Sequence, residues 1–94
     1  MTTTEFPNTS RGRRAQELDG RCPVHGAALE VGPGFVSRMD LFPGREFEAM
    51  QLALPFCLDL GESFEGGARR EPTTVIWCPE CVAAAAGFHS RQRR

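Results

Sequence analysis

A small α+β domain, an antiparallel β-sheet with a short C-terminal helix and a disordered N-terminal arm, is the fold class this sequence predicts. Three observations predict it. The chain has 94 residues with ten glycines and seven prolines, which suits one small domain and leaves little room for long regular elements. Apolar residues alternate along residues 52–60, the pattern of a strand buried on one face. Two short pairs, Cys22-Pro23-Val24-His25 and Cys78-Pro79-Glu80-Cys81, bracket the middle of the chain, and the second runs into an alanine-rich stretch.

Taken in order, residues 1–20 hold mostly Thr, Asn, Ser, Gly, Pro and Arg around Phe6 and Leu18. Such a stretch buries too little to offset its ordering entropy, so it is expected to be a disordered arm. The ordered domain then spans 21–89, with 90–94 as a fraying basic tail. Ala27–Val31 is a short extended piece, and Gly32-Pro33-Gly34 marks a turn. Phe35, Ser37, Met39 and Leu41 share one side of a strand that stops at Pro43-Gly44. In residues 45–51, Phe47 and Met50 suit a helical turn, in a segment too short for periodicity to decide. Leu52, Leu54, Phe56, Leu58 and Leu60 place five apolar side chains on one strand face, with Pro55 marking an edge or a bulge. Gly61–Pro72 is a polar loop, Thr73–Trp77 a β-branched strand, and Val82–Phe88 a helix.

The two pairs carry the chemistry. A gap of two residues lets the backbone curl so that both side chains face one ion, and two such turns supply the four ligands of a closed tetrahedral zinc site. Thiolate and imidazole both suit zinc. Cys22, His25, Cys78 and Cys81 are therefore the expected ligands of one structural Zn2+, which makes the domain zinc-stapled. Residues 26–77 form a long intervening segment, yet each doubling of a closed loop costs only about 0.6 kcal/mol. A structural zinc site contributes roughly 10–16 kcal/mol, so the ion outweighs that cost.

These motifs, CPVHG early and WCPEC late, resemble the knuckles of zinc-ribbon and treble-clef domains. The order strand, ligand pair, short helix is similar to the treble clef, where the second pair sits at a helix N-terminus whose dipole favours thiolates. The resemblance covers the knuckles and the last strand and helix, while the long insert and the single histidine depart from it. It implies a metal and an architecture, and no particular function.

Each residue also has a plainer reading. Cys57 in an apolar strand is a small buried hydrophobe, or it replaces His25 in a four-cysteine site. Trp77-Cys78-Pro79-Glu80-Cys81 is similar to the thioredoxin active-site sequence, but only thirteen residues follow Cys81, too few for that fold. His89 is a solvated terminal residue, and Trp77 packs over the site. Arg11, Arg13, Arg14, Arg91, Arg93 and Arg94 are solvated tails or phosphate-binding arms.

Charge separates the function classes. Residues 22–81 carry nine acids against four arginines, −5, and the remainder carries seven arginines against three acids, +4. An acidic body with arginine-bearing ends argues against a uniformly basic nucleic-acid binder. All eleven basic residues are arginine, a bias that suits a high-GC bacterial or phage genome. No secretory signal or membrane span is expected, so a cytoplasmic setting follows, where cysteine clusters mean metal more often than disulfide. Four ligands leave a zinc ion no open position, and no catalytic grouping is visible, so no enzyme is expected. The sequence thus points to a zinc-binding accessory module that binds another protein in a regulatory assembly. The alternative is a nucleic-acid-binding module using its arginine-rich termini.

Overall fold

The computed structural model describes residues 5–37, 42 and 44–92, of which 88–92 by backbone alone. Helix α1, Ser10–Glu17, opens where Thr9 caps it: the Thr9 hydroxyl oxygen accepts from the Gly12 N–H at 3.0 Å, satisfying one of the unpaired donors of the first turn. Its inner side buries Ala15, with Phe6 and Leu18 packed beside it. The sequence expectation of disorder for this segment is corrected here. Ala15 in the core, with Phe6 and Leu18 packed against that core, holds the helix in place, and one of its arginines turns inward, as described below.

Strand β1, Glu30–Ser37, pairs antiparallel with β3, Arg70–Trp77, from Glu30 opposite Trp77 to Ser37 opposite Arg70. A two-residue strand β2, Glu62–Ser63, pairs antiparallel with the other side of β1, giving the order β2-β1-β3. The expected turn at Gly32-Pro33-Gly34 is instead mid-strand. Gly34 lies against Val75, where a Cβ would come within 2.9 Å of both Val75 methyls; the glycine serves close packing across the pair, not a reversal. The expected strand positions Met39 and Leu41 lie outside the described residues. The expected loop over Gly61–Pro72 contributes β2 and the first residues of β3, with Pro72 on the outer strand, where a missing donor does least harm.

Helix α2, Arg45–Ala53, resolves the ambiguous segment, with Glu46 and Glu48 in its first turn, where acids suit the helix dipole. It also displaces the strand expected over residues 52–60. Pro55 disfavours helical geometry in the residue before it, and Leu54 leaves the helix at φ −129°, ψ 73°. A turn follows that buries Phe56 and Cys57 while Leu52, still on α2, stays 86% exposed. Helix α3, Pro79–Gln92, starts earlier and runs further than the expected 82–88.

The core gathers Ala15, Leu29, Met50, Phe56, Cys57, Ile76 and Ala85 together with Cys22, Cys78 and Cys81. Three of the four proposed ligand residues are therefore core residues. Among the described residues no helix is long and apolar enough to cross a membrane.

Candidate metal centre

The first pair of donors sits in a tight loop between α1 and β1. The Cys22 N–H donates to the Ala27 carbonyl at 2.9 Å and the Gly26 N–H returns to the Cys22 carbonyl at 2.8 Å. Gly26 closes the turn at φ +69°, a left-handed conformation that glycine adopts without steric cost. The second pair straddles the start of α3: Cys78 directly precedes the helix and Cys81 lies in its first turn. Pairing of Glu30 with Trp77 brings the two loops together, because each pair is chained to one member of that cross-strand couple.

The sulfur and nitrogen atoms of Cys22, His25, Cys78 and Cys81 all lie within 4.8 Å of one another. Cys22 Sγ is 3.5 Å from Cys81 Sγ. His25 Nδ1 stands 3.7 Å from Cys22 Sγ, 3.7 Å from Cys78 Sγ and 3.4 Å from Cys81 Sγ. The donors fit an ion. With bonds of about 2.3 Å to sulfur and about 2.0–2.1 Å to nitrogen, a tetrahedron has sulfur–sulfur edges of about 3.8 Å and sulfur–nitrogen edges of about 3.6 Å. The four cysteines are free, and 3.5 Å is well beyond the roughly 2.05 Å of a disulfide. The cluster thus has the donor chemistry and spacing of a metal site, with Nδ1 as the imidazole donor.

Backbone N–H groups surround the sulfurs. Cys81 N–H donates to Cys78 Sγ at 3.4 Å, and both lie at the positive end of α3. Burial would raise the Cys22 thiol, but hydrogen bonds from the His25 and Val24 backbone, with the His25 and Cys81 side chains, outweigh it and bring it down to about 7. Burial pushes Cys81 up to about 12, against a Phe56 backbone hydrogen bond that favours the thiolate, with the Cys22 and Cys78 sulfurs adding to the rise. Without an ion, then, Cys81 keeps its proton while Cys22 gives its up first.

Cys57 is not in the cluster. It is buried along a groove bordered by Met50, Val82 and Ala85, and burial raises its thiol. Trp77 packs edge-on against Phe64, with ring centroids 4.9 Å apart. The side chains of His89 and Arg91, and residues 93 and 94, lie outside the description. Of the remaining arginines, Arg13 donates to Asn8 Oδ1 at 3.2 Å and Arg14 pairs with Glu17 at 3.6 Å.

Sequence reasoning missed two groups around the site. The Phe56 carbonyl accepts the Cys78 N–H at 2.9 Å, and Arg11 reaches the carbonyls of Ile76 and Cys57. Thr9 three residues before Gly12 is a capping signal that could have revealed α1, but nothing in the sequence marks which carbonyls an arginine will meet. Comparison with protein-family models, with curated proteins and with solved structures finds no match.

Proposed function

We propose that this chain is a zinc-stapled, non-enzymatic module that binds another protein. The observation that carries the reading is the group of three buried thiols and one partly buried imidazole at tetrahedral spacing. Zinc is the ion of choice for such a set, since soft thiolates exclude magnesium and calcium and a closed tetrahedron suits a d10 ion. Four protein donors leave no coordination position for a reacting water, which favours a structural role. The sequence of strand β3, ligand pair and helix α3 supports a treble-clef type of arrangement. Three thiols in ligand roles suit a reducing, cytoplasmic setting, and arginine in place of every lysine suits a bacterial or phage source.

Protein binding draws its support from the acidic stretch of residues 22–81 and from large apolar side chains left in solvent, Phe42 at 89% and Leu52 at 86% exposed. The arginine-arm alternative loses its inner member, because Arg11 is engaged with backbone carbonyls. Elemental analysis of native protein should return one zinc per chain, and crosslinking in cells of origin should recover a defined polypeptide. Absence of stoichiometric metal would overturn the reading at its root. Retention of DNA or RNA that falls steeply with added salt would replace the protein partner with a nucleic acid.

A further inference from the structure

We propose that helix α1 is a metal-dependent element and that Arg11 is the positioning residue coupling its docking to the metal centre; the inference rests on the zinc reading above. Arg11 Nε donates to the Ile76 carbonyl at 3.3 Å and Nη2 donates to the same oxygen at 3.1 Å. Nη2 also donates to the Cys57 carbonyl. The guanidinium carbon lies 5.2 Å over the centroid of the Phe56 ring, a cation–π contact.

Those acceptors belong to the two segments that hold the ligand sulfurs. Ile76 is two residues before Cys78 at the end of β3. The turn containing Phe56 and Cys57 accepts the Cys78 N–H at 2.9 Å and supplies a backbone hydrogen bond to Cys81. One planar guanidinium therefore clamps the strand end to the turn, and the clamped groups touch two of the four ligand residues. Ala15, 0% exposed, sits in the same core cluster as Cys22, Cys78 and Cys81. The Leu29 N–H donates to the Gly20 carbonyl at 2.7 Å, tying the end of the α1 segment to the loop that presents Cys22 and His25.

Coupling of this kind is reciprocal: if the ion favours docking of α1, docking favours the ion by the same factor. An eight-residue helix is too short to persist in water by itself. Released from the core, α1 melts and presents Arg11, Arg13 and Arg14 as a flexible basic arm. Docking of that arm and retention of the ion thus reinforce one another.

The test uses the full chain and zinc itself. Zinc affinity is measured by competition with a chromophoric chelator for the wild type, Arg11→Gln, Arg11→Lys and the surface control Arg13→Gln, with amide hydrogen exchange recorded on each zinc-loaded form. Arg11→Gln should keep one zinc per chain but bind it about tenfold more weakly, the lower end of what outer-shell changes cost. Its exchange should quicken over residues 10–18 and stay slow over 75–86. Arg11→Lys should fall between, since a single ammonium cannot span two carbonyls, and Arg13→Gln should match the wild type. If Arg11→Gln fails to fold, the comparison of Arg11→Lys with Arg13→Gln decides. Zinc affinity indifferent to Arg11, or lost equally in Arg13→Gln, overturns the coupling alone. A wild type that takes up no zinc overturns the metal-centre reading instead.

Discussion

At the scale of single residues, the four cysteines divide into two chemical roles that burial alone does not distinguish. Cys22, Cys57, Cys78 and Cys81 are each at most 2% exposed, yet only three face His25. Cys78→Ser should therefore lower zinc affinity by more than the 10–100-fold cost of an outer-shell change. Cys57→Ser should retain one zinc and lose about 1–3 kcal/mol of stability, the cost of a hydroxyl in an apolar site. Chelator competition and denaturant titration separate these outcomes, and loss of metal in the second variant would redraw the ligand set. Acid sensitivity follows from the same residues. The Cys81 proton must be displaced by the ion throughout the neutral range, whereas Cys22, held down to about 7, holds its proton only below that pH. Zinc affinity should fall as pH drops, and fall more steeply below about 7, where Cys22 also holds its proton. Titrating affinity from pH 8 to pH 5.5 checks this. In the metal-free fold the sign agrees: a lowered thiol value contributes stability that is lost as pH falls through it. The clustered donors Cys22, His25, Cys78 and Cys81 were legible in the sequence because a two-residue gap is a local property. The choice of Nδ1 was not, since ring orientation depends on where Cys78 and Cys81 arrive.

At the scale of elements, two patterns competed for Leu54. Phe47, Met50 and Leu54 recur at helical spacing, while Leu52, Leu54, Phe56, Leu58 and Leu60 recur with period two. The helix takes the residues up to Ala53 and the proline at 55 prevents either pattern from continuing, which is why the strand expectation failed. Thr73–Trp77 and Val82–Phe88 were legible, because β-branched and alanine-rich runs carry their own preference. The Gly32-Pro33-Gly34 stretch misled for a different reason: its glycines answer to neighbours across the sheet, which no local reading reveals. Gly34→Val makes that concrete. The new side chain would meet the Val75 methyls and the Ser63 carbonyl, 2.9 Å and 3.1 Å from its Cβ position. Overpacking of this kind costs about 1–3 kcal/mol, and the denaturation midpoint should drop accordingly with zinc stoichiometry unchanged.

At the scale of the whole molecule, the Cys/His cluster and the apolar core are one body, since the three sulfurs belong to the same cluster of buried residues as Ala15, Ile76 and Met50. A chain of this length buries only about 60–65% of its unfolded surface, so the core alone is marginal. Complete chelation should therefore unfold the protein broadly, seen as collapse of amide dispersion in its NMR spectrum. Dispersion that survived zinc removal would show that the core stands unaided. The small α+β class, with its antiparallel sheet and terminal helix, was legible from spacing and composition. The N-terminal helix was not, because its stability comes from what it lies on.

The separation of the two donor pairs, His25 and Cys78 being 53 positions apart, has a consequence for biosynthesis. A ribosome releasing this polypeptide exposes the first loop long before the second, and until Cys81 clears the exit tunnel no cation can be fully enclosed. The full donor set thus assembles only once both pairs have emerged. A message cut short upstream of Cys78 would yield only two of the four clustered donors.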